Sequence, residues 1–313
     1  MITDDLDSLF KGSNRKLAAA LVEIVRDMRD YWPLTVRQIY YQCVSRLVIS
    51  NKEAEYRRVS RNLTTIRRHD LLPWHAIEDR TRRTIGKRGY EDVSEFVRGQ
   101  VEMFLDPDLY GRCYIQEQEV YVEVCSEKDA LARILQDAVW PFCTRLNVVR
   151  GQVSATMVQQ MGERFDRSVM LGKRPILVYF GDLDPSGIAI PKALVRNLAD
   201  WHGVEVELRR AALNPEQVGS YRLPVSLDAA KRKDPNYSTW LAEYGDQAPV
   251  ELDALHPQDL SDLVTGALKG VYDLSKMYAQ KEKEKQERAL LKTMRLGVMD
   301  LLGEKWPDLF AGG

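Results

Sequence analysis

The sequence predicts an α/β chain in two parts: a helical, winged-helix-like domain over residues 1–100, then a Rossmann-like domain with a mostly parallel sheet and a helical C-terminal extension over residues 115–313. Two observations carry this expectation. Apolar residues recur at helical spacing in three successive short segments near the start. From residue 120 onward, apolar strand-like runs alternate with amphipathic helical ones. The alternation β-α-β-α-β-α-β is the pattern of parallel strands covered by helices.

In the first part, Leu17, Leu21, Ile24 and Val25 mark an amphipathic helix with Asn14 as its cap, stopped near Trp32-Pro33. Thr35 then stands where an N-cap belongs, and Val36 to Ser45 reads as a second helix. Its inner side holds Val36, Ile39, Tyr40, Cys43 and Val44, and its other face presents Arg37, Tyr41 and Gln42. A third helix fits Glu53 to Arg68, with Val59, Leu63 and Ile66 as a narrow apolar seam.

Arginines crowd the rest of that third helix. From Lys52 to Arg88 there are eleven basic residues against five acidic ones, so a local positive excess hides inside a chain of net charge −1. In a helix-turn-helix geometry one helix enters the major groove and flanking cations hold phosphates. Arg57, Arg58, Arg61, Arg67, Arg68, Arg80 and Arg82 are the candidate contacts to nucleic acid; the competing explanation is a solvated arginine-rich helix.

Between Gly86 and Gln118 the turn formers Asp106-Pro107-Asp108 and Gly111 predict a linker. Beyond it the expected order is a strand at Val120 to Cys125, a helix at Asp129 to Val139, a strand at Leu146 to Val149 and a helix at Ser154 to Phe165. A strand at Ile176 to Phe180, a helix at Ile190 to Trp201 and a strand at Val204 to Leu208 follow. Arg150-Gly151-Gln152 through Ser154 reads first as a plain turn, with contact to phosphate or metal-bound water as the alternative. A polar stretch from Leu213 to Pro249 precedes a helix at Leu255 to Tyr272, and Lys276 to Arg288 belongs to a solvated terminal helix.

With 44% hydrophobic and 29% charged residues, and no uncharged apolar run of eighteen, the chain is too polar for a membrane protein. Its first ten residues are acidic, so no secretion is expected. Cys43, Cys113, Cys125 and Cys143 form no paired motif and fit a reducing cytoplasm. His69, His75, His202 and His256 are too scattered for a zinc site.

Ligands of an open α/β sheet bind at the carboxyl ends of its strands. Two such ends here are acidic: Val120 to Cys125 runs into Ser126-Glu127-Lys128-Asp129, and Ile176 to Phe180 runs into Gly181-Asp182-Leu183-Asp184-Pro185. An extended D-x-D puts Asp182 and Asp184 on one side, roughly 7 Å apart. Clustered carboxylates need a counter-charge, and hard oxygen donors suit Mg²⁺. Glu127 would complete such a site and work as acid or base, with Glu123 a weaker alternative. The bland alternative is that Asp182 and Asp184 cap the following helix.

The glutamate followed by a later D-x-D resembles the Toprim domain of topoisomerases, primases and related nucleases. S-E-K-D-A-L-A-R-I-L from Ser126 and G-D-L-D-P-S-G-I-A-I from Gly181 look most like the A subunit of topoisomerase VI and its relative, the meiotic double-strand-break transesterase. T-V-R-Q-I-Y-Y at Thr35 to Tyr41 resembles the family's R-[DE]-I-Y-Y helix, whose second tyrosine attacks DNA; Tyr41 is the matching residue. The resemblance runs from about Thr35 to Phe165 and again through Ala189. Gln38 and Leu183 depart from the family pattern, and the E-L-D-A-L-H-P-Q-D-L segment from Glu251 looks like short phage and bacterial stand-alone relatives.

The resemblance implies Mg²⁺ held by Glu127, Asp182 and Asp184, and attack by Tyr41, assisted by Arg37, on double-stranded DNA. The product is a 5′-phosphotyrosyl link, and a homodimer cuts both strands. No Gly-rich nucleotide loop is present, so an ATPase would be a separate subunit. Two other functions remain open from the sequence: a Toprim-type nuclease that hydrolyses DNA without a covalent intermediate, and a non-cleaving DNA clamp or assembly factor.

Overall fold

The computed structural model describes residues 6, 8–78, 89–149, 151, 153–225, 232–245 and 247–307. In chain order the elements are α1 (Ser13–Asp27), α2 (Val36–Ser45), α3 (Glu53–Arg68), α4 (Val93–Met103), β1 (Val120–Ser126), α5 (Ala132–Val139), β2 (Arg145–Val148) and α6 (Ala155–Met170). They continue as β3 (Arg174–Phe180), α7 (Pro185–His202), β4 (Glu207–Ala212), α8 (Pro215–Ser220), α9 (Tyr237–Tyr244), α10 (Pro257–Lys269) and α11 (Leu274–Lys305). The four strands form one parallel sheet in the order β2-β1-β3-β4. The chain is therefore α/β. Among the described residues no helix is long and apolar enough to cross a membrane.

Two compact units divide the chain by neighbourhood rather than along its length. The first joins Met1–Arg82 to Glu119–Val271, and the second joins Arg83–Gln118 to Tyr272–Gly313. The N-terminal helices thus share a unit with the sheet, where the sequence places them in a domain of their own.

Sheet burial explains the unbroken apolar run of β3. Six of its seven residues are buried because helices cover both faces. Leu177 and Tyr179 pack with Cys125, Val158, Met161, Phe165, Leu194 and Leu198 under α6 and α7. On the other face α5 packs against α10. At roughly 25 cal/mol per Å² of apolar surface, each of these large side chains contributes on the order of 2 kcal/mol.

Local chemistry sets the helix starts. Thr35 caps α2 through a reciprocal pair, its Oγ1 accepting from Gln38 N at 3.3 Å while Gln38 Oε1 accepts from Thr35 N at 2.7 Å. The glutamine at a position usually acidic in the resembled family is therefore a capping partner. Asn14 is not a cap: α1 begins at Ser13 behind Gly12, whose φ of 58° needs glycine, and Asn14 instead accepts from Arg58 Nε at 2.6 Å.

Helix α7 starts five residues before the expected Ile190, because Asp184 caps it and Pro185 opens it. Its interior Pro191 cannot donate to the carbonyl of Gly187. Arg210 Nη1 takes that carbonyl at 2.9 Å instead. Ser154 caps α6 by accepting from Met157 N at 3.3 Å, in keeping with a turn; Arg150 and Gln152 lie outside the described residues.

In the second unit one side of the lysine and glutamate run is not solvated. Glu284 Oε2 accepts from Arg112 N at 2.7 Å, and Gln280 Oε1 accepts from Arg112 Nε at 2.9 Å and from Gln116 Nε2 at 2.6 Å. Residues 89–118, the described part of the segment expected as a linker from Gly86 to Gln118, contain α4 and are pinned to α11 by these polar contacts.

Candidate active site

Parallel pairing of β1 with β3 puts Ser126 beside Phe180, so both acidic loops leave the sheet at neighbouring points on its carboxyl edge. Glu127 Oε1 accepts from Asp182 N at 2.9 Å. Asp184 Oδ1 accepts from Gly187 N at 2.7 Å, the capping role given as the bland alternative. Asp182 does not cap: Oδ1 accepts from Leu252 N at 2.8 Å and Oδ2 lies 2.7 Å from Lys128 Nζ.

Leu252 belongs to a segment that sequence reasoning did not assign to the site. Leu183 and Val250 form an antiparallel bridge, with N–H donated in each direction at 2.9 and 3.0 Å. The bridge brings Glu251-Leu252-Asp253 alongside Asp182-Leu183-Asp184. Leu183, a departure from the small residue usual in the resembled family, is fully buried here. The pattern E-L-D was visible in the sequence, but nothing local indicates that a segment nearly seventy residues away closes on the D-L-D.

Basic side chains thread this cluster. Lys128 Nζ lies 2.5 Å from Glu251 Oε2 and 3.7 Å from Asp253 Oδ2. Arg37 donates from Nε to Asp253 Oδ2 at 2.6 Å and from Nη2 to Glu251 Oε2 at 2.8 Å. Arg210 donates to the carbonyls of Gly181 at 3.1 Å, Asp182 at 2.5 Å and Leu213 at 2.9 Å, which fixes the loop between β3 and α7. Gly187 is required by close approach, since a Cβ there would meet Asp182 O at 2.3 Å and Glu127 Oε1 at 3.2 Å.

Burial governs the electrostatics. It pushes the Asp182 carboxyl well above the usual range, with Glu251, Glu127 and Asp253 adding to the rise and Lys128 opposing it. Glu127 is raised by the same desolvation, against the Asp182 N–H and Lys128. For Lys128, desolvation works against the charge, but Asp182, Asp253 and Glu251 outweigh it and raise its pKa.

Tyr41 adjoins this network through Arg37, whose guanidinium lies 5.5 Å from the ring centre. The phenol is not on an exposed face as α2 periodicity predicts. Tyr41 is 7% exposed and Gln42 5%, because α2 packs on α1 and α3 and also on the turn at Leu252–Ala254. Burial pushes the Tyr41 pKa up, Glu251 adds to it, and Arg37 only partly offsets them.

Glu123, the alternative glutamate, points elsewhere. It is fully buried and bound by Arg164 at 2.6 and 2.8 Å, Asn147 at 2.8 Å and the Tyr121 hydroxyl at 2.7 Å. Of the candidate phosphate contacts, Arg57, Arg61 and Arg68 are exposed on α3. Arg58 pairs with Glu55 at 3.1 Å, and Arg67 donates to Ile77 O at 3.1 Å while lying 4.6 Å from the Trp74 ring centre. Arg80 and Arg82 lie outside the described residues.

Among the described residues no three histidine, cysteine or carboxylate side chains are grouped closely enough to hold an ion as they stand. The donor chemistry nevertheless fits Mg²⁺: Glu127, Asp182, Asp184, Glu251 and Asp253 offer hard oxygens, with Lys128, Arg37 and Arg210 among the cations that answer their charge. No family model matches the chain, and no curated protein matches it significantly.

Proposed function

We propose that this chain is a Mg²⁺-dependent DNA-cleaving enzyme of the Toprim type, with Tyr41 as nucleophile and a second copy of the chain as partner. One observation carries the proposal: Glu127 and the Asp182-Leu183-Asp184 loop meet at the carboxyl edge of two adjacent parallel strands. The three-helix segment serves as a winged-helix-like docking unit, with Arg57, Arg61 and Arg68 toward phosphates.

Glu127, Asp182 and Asp184 would hold the ion, which when bound neutralises charge on the phosphate and on the departing 3′-oxygen. The Tyr41 hydroxyl gives its proton to water, its oxygen forms a bond to phosphorus, the bond from phosphorus to the 3′-oxygen breaks, and the 3′-oxygen takes up a proton. That proton comes from water, since a Glu127 that holds the ion is deprotonated. Arg37 stabilises the tyrosine oxyanion, and α2 must shift to present it. With Tyr41 acting at the centre of the other protomer, a two-fold dimer cuts both strands.

Hydrolysis by water at the same centre is the second reading, and the burial of Tyr41 favours it. Supercoiled DNA incubated with the protein and Mg²⁺, quenched in detergent and analysed for protein on 5′ ends separates the two. Adducts that vanish in Tyr41→Phe support transesterification, cutting that survives it supports hydrolysis, and binding without cutting points to a clamp.

A further inference from the structure

Lys128 marks a position where cations are wanted. In the antiparallel bridge Asp182 stands opposite Glu251, and like charges directly opposed repel. The Lys128 ammonium lies between them, at 2.7 and 2.5 Å, with Asp253 3.7 Å away. Asp253 is 1% exposed, and its Oδ1 is cut off from solvent with no hydrogen-bond partner among the described residues. A buried carboxylate oxygen left without a donor is costly, so the position asks for a ligand.

We propose that this position is a divalent-cation site formed by Asp182, Glu251 and Asp253, with the Lys128 ammonium as a resident counter-ion that leaves when the ion enters. It rests on the reading of the cluster as a metal-dependent centre, and it adds Glu251 and Asp253 to the ligands. A lysine suits the exchange because its charge is a point on a flexible stem, whereas Arg37 holds Glu251 and Asp253 through a planar fork. Removal of the ammonium lets the three carboxylates close round an ion with oxygen donors alone, including the Asp253 oxygen that lacks a partner among the described residues.

The test is Mn²⁺ binding to the full chain without DNA, followed by the electron paramagnetic resonance signal of free Mn²⁺. Asp253→Asn and Glu251→Gln are each expected to weaken binding at least tenfold, and Lys128→Met to strengthen it about tenfold. Unchanged affinity in the first two variants, weaker binding in Lys128→Met, or no Mn²⁺ bound by any variant overturns the assignment. Glu251→Gln is the safer variant, because its side chain is 17% exposed, and thermal melting verifies its fold. If Glu127→Gln alone abolishes binding and cleavage while Glu251→Gln leaves both intact, the metal-dependent reading survives and this assignment fails.

Discussion

Replacing Arg37 by methionine keeps the length of the stem and removes the fork that holds two acidic side chains. The fork donates to Asp253, whose side chain has no exposure, and to Glu251. Hydrogen bonds to charged groups contribute about 1.5–3 kcal/mol each, and stripping the partner from a buried carboxylate costs about 3–5 kcal/mol. The side chain of Arg37 is 44% exposed and Lys128 remains 3.7 Å from Asp253, so water and the second cation recover part of that loss. The expected net cost is therefore about 2–3 kcal/mol. Urea unfolding reads this as a midpoint lowered by roughly 1 M for a slope of about 2 kcal/mol/M. In a cycle with Asp253→Asn the two changes should be non-additive by about 1.5 kcal/mol. A loss below about 0.5 kcal/mol, or additive changes, would refute the clamp.

Arg164→Ala should destabilise the chain by about 3 kcal/mol, because it leaves the fully buried Glu123 without its cation; Glu123→Gln should cost less, and neither should change Mn²⁺ affinity in a metal titration. Gly187→Ala forces a Cβ against the Asp182 carbonyl and should cost about 1–3 kcal/mol by thermal melting, whereas Gly266→Ala in α10, with open space around it, should gain about 0.5–1 kcal/mol. His256 has its pKa lowered by burial, and its Nδ1 accepts from Gln258 N at 3.2 Å, so the fold favours neutral imidazole. Its contribution is full above the unfolded value near 6.5 and is lost as pH falls through the lower folded value; His256→Asn should flatten the fall in melting temperature from pH 7.5 to 5. Exchanging Arg57, Arg61 and Arg68 for glutamine should weaken DNA binding and reduce the salt slope by roughly 0.9 for each phosphate no longer neutralised; a retained slope counts against α3 as the docking face.

Where the sequence carried a strong local pattern, it placed elements closely. Thr35 with Gln38 announces α2, and the apolar run before Gly181 announces β3. The acidic loops after β1 and β3 were legible because parallel strands share a carboxyl edge, which fixes Glu127 and Asp182 as neighbours once the order is known. Three features were not legible, each for a non-local reason. The start of α7 was hidden by Pro191, whose missing donor is compensated by Arg210 on another strand. The burial of Tyr41 follows from a turn at Leu252–Ala254 far along the chain. Lys128 reads locally as a loop lysine and becomes a central counter-ion only after the bridge between Leu183 and Val250 forms.

That bridge also ties the neck of a long excursion. Helix α7 and strand β4, which lie between the two acidic segments, belong to the sheet and its cover, but the segments themselves are joined directly by one pair of backbone hydrogen bonds. Doubling the length of a flexible loop adds only about 0.6 kcal/mol of closure entropy. The turn-rich tract from Pro215 to Pro249 is accordingly a place where evolution or an engineer can splice in a new recognition element while the chemistry at its base stays put.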